Sequence, residues 1–159
     1  MCMKLNKDIT LDYVLYGLKS KNKREVMRDI ARFVSKQHGQ MDEVALFDQL
    51  LDQERQASSA IGMGLAIPHI RLNDLKTPLN MLVHLDKPVS FDSPDGEDVQ
   101  AIWVTMSPRA DGPRHLMRLA KISRMLNNPQ LARQLKQARS LDELRALLFN
   151  VEHDLLEAA

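Results

Sequence analysis

The chain has 159 residues, of which 22 are Lys or Arg and 21 are Asp or Glu, so its formal net charge is +1 at pH 7. This length most simply forms one domain with a full hydrophobic core. The balanced charge gives the whole chain no electrostatic reason to bind a nucleic acid or a membrane surface. One Trp, two Tyr and four Phe, not interleaved with basic residues, also argue against a stacking platform for single-stranded nucleic acid.

Cysteine and hydropathy patterns narrow the class of protein further. Cys2 is the only cysteine, which excludes a disulfide framework and a cysteine metal cluster and fits a reducing compartment. The sequence has no apolar run of bilayer length and no secretory signal, so we expect a cytoplasmic protein without membrane insertion. It also lacks an HExxH motif, a Gly-x-Ser-x-Gly elbow and a zinc-like His and carboxylate cluster, and we expect no metal or cofactor.

Two helices are predicted in the first third of the chain. Asn22 and Glu25 have the spacing of a capping box, and the helix that they begin ends at His38 and Gly39. Asp42 can begin a second helix, which ends near the DQER segment. The positions expected to face inward are Val26, Ile30, Phe33 and Val34 in the first helix and Val44, Phe47, Leu50 and Leu51 in the second.

Two strands are predicted in the middle of the chain. The segments LNMLVHL, from Leu79 to Leu85, and VQAIWVTM, from Val99 to Met106, are separated by the turn-forming sequence DSPDGED. The sequence shows no repeat or flexible linker. An order of helices, strands and helices therefore predicts one α/β layered domain with mixed strand directions.

Three helices are predicted after the second strand. Pro113 and Pro129 suit first helical positions, and Ser140 with Glu143 forms another capping box. The leucines and isoleucine expected to face inward are Leu116, Leu119, Ile122 and Leu126, then Leu131 and Leu135, then Leu144, Leu147 and Leu148.

A glycine segment leads to the strongest candidate for chemistry. Gly62 and Gly64 lack the Gly-Lys-Ser/Thr of a phosphate-binding loop and are more typical of a bend or a close backbone approach. Pro68 cannot donate to a strand ladder, so we expect pairing to stop there and His69 to emerge on a stiff support at the strand's end. Ligands gather at strand ends in α/β sheets, although a half-buried structural histidine is the alternative.

His115 is the second candidate. It lies in the first turn of the helix that Pro113 begins, where the unpaired N–H groups and the helix dipole disfavour an imidazolium ion, so a neutral imidazole is expected. A histidine on the helix surface is the alternative. The other three histidines, interpreted as structural or solvated, are His38, His84 and His153.

Basic residues are concentrated in the C-terminal half. From Arg109 to Arg139 the chain carries eight Lys or Arg and one acidic residue, Asp111. A solvated helix face explains this run most simply. An acidic protein or a phosphate group is the functional alternative.

These residues together carry a resemblance to a known family. The segment SSAIGMGLAIPHIR, followed about 45 residues later by HLMRLAKISRMLNNPQLARQL, resembles the type 2 enzyme IIA domain of the bacterial phosphotransferase system, the fructose/mannitol class. Within that class the sequence is most similar to the stand-alone nitrogen-regulatory form. The resemblance implies a mixed central β-sheet sandwiched between helices, in a single domain over residues 9–150, with tails at residues 1–8 and 151–159.

The resemblance also implies roles for individual residues. His69 would accept a phosphoryl group from an HPr-like phosphohistidine carrier protein, and His115 would stabilise that group without being phosphorylated. Ser59, in place of the family's usual Thr, and Arg71 would support the phosphate. Gln53 stands where the family commonly has an arginine and can donate a hydrogen bond but brings no charge. Arg55 is not expected to replace that arginine, because residues two apart on a helix do not face one another.

We therefore expect a regulatory phosphocarrier whose phosphorylation state controls partner proteins, such as sensor kinases or transporters. We expect no fused permease domain, which favours regulation over sugar transport. Two alternatives are a protein-interaction module that kept the fold and lost phosphotransfer, and a sugar-specific enzyme IIA that serves a separate permease subunit. A monomer or weak dimer is expected.

Overall fold

The computed structural model describes residues 2–151, which form a mixed sheet between two groups of helices. The strands are β1 (Met3–Lys4), β2 (Thr10–Leu11), β3 (Tyr13–Leu18), β4 (Ala60–Gly62), β5 (Leu65–Ala66), β6 (His69–Leu72), β7 (Leu79–Val89) and β8 (Val99–Pro108). The helices are α1 (Lys23–Gln37), α2 (Glu43–Gln56), α3 (Pro113–Leu126), α4 (Pro129–Gln137) and α5 (Leu141–Phe149), with a 3-10 turn at Arg109–Asp111.

The central sheet has six strands and mixed directions, as predicted. Strand β8 pairs antiparallel with β7 on one side, and β7 pairs parallel with β3. On its other side β8 pairs parallel with β5 and then with β6, which follow one another along it. Strand β4 extends this side by pairing antiparallel with β5.

Side-chain alternation in β7 and β8 divides the interior into two cores. Met81 and Val83 enter a core with α1 and α2, whereas Leu82 and Trp103 enter a core with α3, α4 and α5. Neighbouring positions along a strand point to opposite faces, so two adjacent apolar residues serve two helical layers. The expected sandwich of a mixed sheet between helices is therefore confirmed.

The predicted helix starts are confirmed by local hydrogen bonds. In four helices the capping side chain accepts a hydrogen bond from the backbone N–H three residues later, at 2.8 to 3.1 Å. The four capping residues are Asn22, Asp42, Asn128 and Ser140. Pro113 is the first residue of α3, which the sequence also predicted.

Two residues predicted to face inward do not. Val44 is 66 % exposed because the buried side of α2 passes through Leu46 and Leu50. Leu116 is 60 % exposed because α3 buries the adjacent polar residue His115. Both residues were assigned to the core because they are apolar. In each helix, however, the buried face passes through residues one or two positions away.

The strands that precede α1 were not predicted from the sequence. Strand β3 lies at the sheet edge beside β7, so the order of elements begins with strands and not with a helix. The segment expected as an N-terminal tail contains β1, which pairs antiparallel with β2, and Met3 and Leu5 pack against the second core. Within residues 2–151 no helix is both long and apolar enough to cross a bilayer.

Candidate functional site

The segment that carries His69 differs from the prediction at Pro68. Pairing with β8 does not end there: β5 stops at Ala66, and β6 begins at His69 and resumes the parallel ladder on the same strand. The Pro68 carbonyl bridges the gap by accepting the Thr105 backbone N–H at 3.0 Å. His69 therefore opens a strand instead of closing one, because proline interrupts the ladder only locally.

The register of β6 determines where the candidate side chains point. His69 is paired with Thr105 and Arg71 with Ser107, so both lie on the face of β8 that meets α3. Ile70, between them, enters the opposite core with α1 and α2. Two polar side chains are thus presented together while the intervening residue anchors the strand.

A backbone carbonyl sets the proton position on His69. Nδ1 of His69 lies 2.9 Å from the carbonyl oxygen of Ile67. A carbonyl oxygen only accepts hydrogen bonds, so Nδ1 carries the hydrogen and donates it. In the neutral ring Nε2 is then the unprotonated nitrogen and has its lone pair available, which is the requirement for a nucleophile.

His115 lies beside His69 in the first turn of α3. The two ring centroids are 5.9 Å apart and the ring planes are inclined by 40°. His115 is only 3 % exposed, and its Nδ1 lies 2.7 Å from the hydroxyl oxygen of Ser107. Burial lowers the pKa of His115 to about 4, with further lowering by electrostatic interactions with Arg71, His69 and Arg118 and an opposing effect of Asp111. The ring is neutral, as the sequence suggested, but burial is the leading cause.

The two histidines share an open cleft of about 420 Å³ where β6, the second half of α2 and the start of α3 meet. Gln53 lines this cleft, so α2 does bring it to the histidines. Arg71 lines it as well, whereas Arg55 is paired with Asp52 at 3.5 Å and does not. Asp52 itself contributes one acidic group to the rim.

Arg109 lines the cleft and was not predicted. Its Nε donates to Asn73 Oδ1 at 3.0 Å and its Nη2 to the Arg71 carbonyl at 3.4 Å, which holds the guanidinium at the end of β6. The basic run that begins at Arg109 was visible in the sequence. Its arrival beside His69 was not, because it depends on the turn between β8 and α3.

Ser59 is the one candidate that the structure does not bring into the cleft. Ser59 is 8 % exposed, and its hydroxyl oxygen is buried without a hydrogen-bond partner among the described atoms. Its backbone instead supports the site: the N–H donates to Glu54 Oε1 at 3.0 Å, and the carbonyl accepts the Ile67 N–H at 2.8 Å. Phosphate support from the Ser59 side chain stays a prediction.

The remaining histidines that the structure describes lie outside the cleft. His84 is buried, stacks on Tyr16 with ring centroids 4.7 Å apart, and hydrogen-bonds through Nε2 to the Lys136 carbonyl at 3.0 Å. His38 Nε2 lies 3.1 Å from the Tyr13 hydroxyl. Both have structural partners, in agreement with the sequence interpretation. His153 lies outside the described residues.

The basic run between Arg109 and Arg139 is partly neutralised by acidic residues inside and outside the run. Arg118 pairs with Asp111 inside the run, while Lys121 reaches Asp8 at 2.7 Å and Lys136 reaches Glu97 at 2.9 Å. Arg71 and Arg109, by contrast, bring guanidinium groups to the cleft. No group of three or more His, Cys, Asp or Glu within residues 2–151 is arranged to hold a metal ion.

Comparison with known proteins gives one family for nearly the whole chain. The family model described as "Phosphoenolpyruvate-dependent sugar phosphotransferase system, EIIA 2" matches residues 9–151. A nitrogen regulatory protein of Pseudomonas aeruginosa is 30 % identical over 151 residues, which cover 95 % of this chain and 98 % of the relative. One from Bradyrhizobium diazoefficiens is 32 % identical over 135 residues, covering 85 % and 88 %.

A solved structure agrees with the sequence relatives. The crystal structure of the nitrogen regulatory protein IIA-Ntr from Neisseria meningitidis superposes with a TM-score of 0.76 at 26 % identity, over 86 % of this chain and 92 % of that one. The fold, the span of the family match and the relatives point to the same group. The chain belongs to the EIIA 2 family of the phosphoenolpyruvate-dependent sugar phosphotransferase system, as its resemblance to the nitrogen-regulatory form implied.

Proposed function

We propose that the chain is a regulatory phosphocarrier that accepts a phosphoryl group on Nε2 of His69 from a phosphorylated HPr-like carrier protein. The observation that carries the proposal is the hydrogen bond from His69 Nδ1 to the Ile67 carbonyl, which leaves the Nε2 lone pair unprotonated. Family membership supports a phosphoryl donor as the substrate. The names of the relatives support regulation.

The proposed step exchanges one nitrogen–phosphorus bond for another. His69 Nε2 supplies the electron pair for the new bond, while the bond between phosphorus and the carrier's histidine breaks and its electron pair remains on the carrier nitrogen. The hydrogen on His69 Nδ1 stays on that nitrogen, hydrogen-bonded to the Ile67 carbonyl, so Nδ1 needs no proton transfer. Such a transfer depends mainly on positioning and on stabilising the charge of the phosphoryl oxygens.

Groups around the cleft suit that stabilisation. The guanidinium groups of Arg71 and Arg109 can donate hydrogen bonds to phosphoryl oxygens and attract their charge. They provide positive charge in a cleft where Gln53 offers only a neutral amide. His115 is neutral and buried beside His69, where it can contribute a hydrogen bond.

The transfer is tested by incubating the protein with phosphoenolpyruvate, enzyme I and the carrier protein, and by measuring its intact mass. We expect wild type to gain one phosphate that is labile in acid and stable in base, as the phosphoramidate of a histidine should be. His69→Gln should gain none, and His38→Gln, a histidine variant outside the cleft, should behave as wild type. Phosphate retained by His69→Gln would move the site to another residue.

The main alternative is an interaction module that binds partners without accepting phosphate. Gln53 in the cleft and the acidic rim residue Asp52 favour this alternative, since neither supplies a positive charge to a phosphoryl group. A folded wild-type protein that gains no phosphate in the same experiment would decide in its favour.

Regulation is tested through partner binding. Phosphorylation at His69 would add negative charge in the cleft beside the apolar residue Leu116, which is 60 % exposed. We expect at least one regulatory protein to bind the phosphorylated and unmodified forms with different affinity. His69→Gln, treated in the same way with and without phosphoenolpyruvate, is the control. Identical partners and affinities for the two wild-type forms would contradict a switch.

A further inference from the structure

A chain of polar groups lies behind His115, on the side away from the cleft. Asp111 pairs with Nη2 of Arg118, and the same Nη2 lies 3.1 Å from the hydroxyl oxygen of Ser107. That oxygen is 2.7 Å from Nδ1 of His115. Ser107, His115 and Arg118 are 0 %, 3 % and 7 % exposed, so these hydrogen bonds are made in a buried setting.

The direction of each hydrogen bond follows from the groups involved. A guanidinium only donates, so the Ser107 oxygen accepts from Arg118. The Ser107 hydroxyl has one hydrogen of its own, and the acceptor found for it among the described residues is His115 Nδ1. If Nδ1 carried a hydrogen instead, it and Arg118 would both donate to the same oxygen, and the hydroxyl hydrogen would be buried without an acceptor. Such a buried unsatisfied group is unfavourable.

The charge of Arg118 favours the same arrangement. The guanidinium approaches the Ser107 oxygen, so the positive end of the hydroxyl dipole is repelled from Arg118 and directed towards His115. A hydroxyl that accepts a hydrogen bond from a charged group also becomes a better donor. Both effects place the Ser107 hydrogen between its oxygen and Nδ1 of His115.

We propose that Ser107 and Arg118 are positioning residues that hold His115 as the neutral tautomer with its hydrogen on Nε2. The role of this tautomer in transfer rests on the proposed function, whereas the tautomer itself does not. His69 has the opposite arrangement, with hydrogen on Nδ1 and a bare Nε2. One ring is thus prepared to attack phosphorus, and the other to donate a hydrogen bond to a phosphoryl oxygen.

This arrangement explains which of the two neighbouring histidines acts as nucleophile. Nε2 of His115 carries a hydrogen and has no lone pair in the ring plane with which to attack, whereas Nε2 of His69 has one. If both Nε2 atoms were bare, the His115 lone pair would repel the phosphoryl oxygens and compete for phosphorus. Ser107 and Arg118 would therefore assign the roles of two chemically identical side chains through a hydrogen-bond network.

The tautomer is tested directly by long-range ¹H–¹⁵N NMR on the unphosphorylated, ¹⁵N-labelled protein, with His115 signals assigned from the spectrum of His115→Gln. Ser107→Thr and Ser107→Val form a matched pair, since both add a methyl group and only threonine keeps the hydroxyl. We expect the hydrogen on Nε2 of His115 in wild type and Ser107→Thr. In Ser107→Val that preference should be lost. Hydrogen on Nδ1 in wild type, or equal His115 signals in the two variants, would overturn the proposal.

Transfer kinetics provide a second readout. Ser107→Val should transfer phosphate roughly fivefold to tenfold more slowly than Ser107→Thr at saturating carrier, with the apparent affinity for the carrier unchanged, because a hydrogen bond to the migrating group is weakened. Equal saturating rates would contradict the positioning role. If wild type accepts no phosphate, the proposed function fails, and the NMR result still decides whether the tautomer assignment is right.

Discussion

Nδ1 of His69 is hydrogen-bonded at 2.9 Å to the carbonyl oxygen of Ile67, two residues earlier in the chain. The same short segment supplies both partners, and the Ile67 N–H is itself held by the Ser59 carbonyl at 2.8 Å. Pro68, between the two bonded residues, restricts the backbone that joins them. The orientation of the candidate nucleophile is therefore set within the short backbone segment from Ile67 to His69.

Gln53→Arg should accelerate phosphate acceptance. The substitution would place a charged, planar donor in the cleft beside His69, where it can stabilise the phosphoryl oxygens during transfer. A charged hydrogen bond exceeds a neutral one by roughly 1 kcal/mol, which corresponds to a gain of several-fold to about tenfold. Rapid-quench rates with phosphorylated carrier measure it.

Two controls define that result. Gln37→Arg, which adds the same charge at the exposed end of α1, should leave the rate unchanged. The gain should vanish in the double variant Gln53→Arg, His69→Ala. An unchanged or lower rate in folded Gln53→Arg would mean that residue 53 does not meet the phosphoryl group.

Arg71→Met should raise the pKa of His115 and slow phosphate acceptance. Arg71 is the leading charged group that lowers the pKa of His115, after burial, so removal of its charge moves that pKa upward from about 4. The same loss removes a donor to the phosphoryl oxygens, and we expect a rate roughly tenfold lower. NMR titration of the His115 ring and rapid-quench kinetics measure the two effects. Arg55→Met, outside the cleft, is the control, and an unmoved His115 pKa would refute this account of its charge environment.

Stability should fall as the pH is lowered from 7 to 4.5, in part because of His115. The pKa of His115 is about 4 in the folded chain and 6.5 for an unperturbed histidine. The unfolded chain therefore binds the proton first, and this residue's contribution is fully present above pH 6.5 and lost as the pH falls towards 4. The expected loss is about 2 kcal/mol between pH 7 and pH 4.5.

His115→Gln should lack that part of the pH dependence. Urea unfolding followed through Trp103, the single tryptophan and a fully buried one, gives the free energy of unfolding for both proteins at the two pH values. The wild type and His115→Gln share every other titrating group, so a difference between them in the change of unfolding free energy from pH 7 to pH 4.5 isolates His115. Equal changes in the two proteins would show that His115 titrates alike in the folded and unfolded chains.

Gly64→Ala should destabilise the β4–β5 hairpin. Gly64 has a φ of +72°, and an added Cβ would lie 2.6 Å from Lys136 Cδ and 3.2 Å from the Asp98 carbonyl oxygen. Backbone strain alone costs about 1 to 2 kcal/mol, and crowding adds to it. Gly17→Ala, with φ +77° and open space, should show the strain alone, and Gly39→Ala neither effect. Equal unfolding free energies for the Gly17 and Gly64 variants would exclude the close approach.

Local signals explain what the sequence predicted well. Each capping residue, such as Asn22 or Ser140, bonds a backbone N–H only three residues away, so the start of its helix depends on nearby residues alone. The position of His69 beside His115 could be predicted for a different reason, because the family resemblance includes the motifs of both histidines. The periodicity of the sequence alone did not bring the two histidines together.

Other features depend on tertiary register and were missed for that reason. Ser107 meets His115 because β8 and α3 pack in one particular register, and Arg118 completes the network from one turn farther along α3. Val44 and Leu116 were assigned to the core because they are apolar, yet single exposed apolar residues are common on protein surfaces. Strand β3 was overlooked because a short edge strand has little periodic signal.

Phosphoryl transfer is proposed to take place at one atom, Nε2 of His69. Long-range ¹H–¹⁵N NMR of the phosphorylated protein, with the His69 signals assigned by comparison with His69→Gln, identifies the ring nitrogen that is bonded to phosphorus. We predict phosphorus on Nε2 of His69, with the hydrogen bond from Nδ1 to the Ile67 carbonyl retained. Phosphorus on Nδ1 of His69, or on His115, would contradict the account.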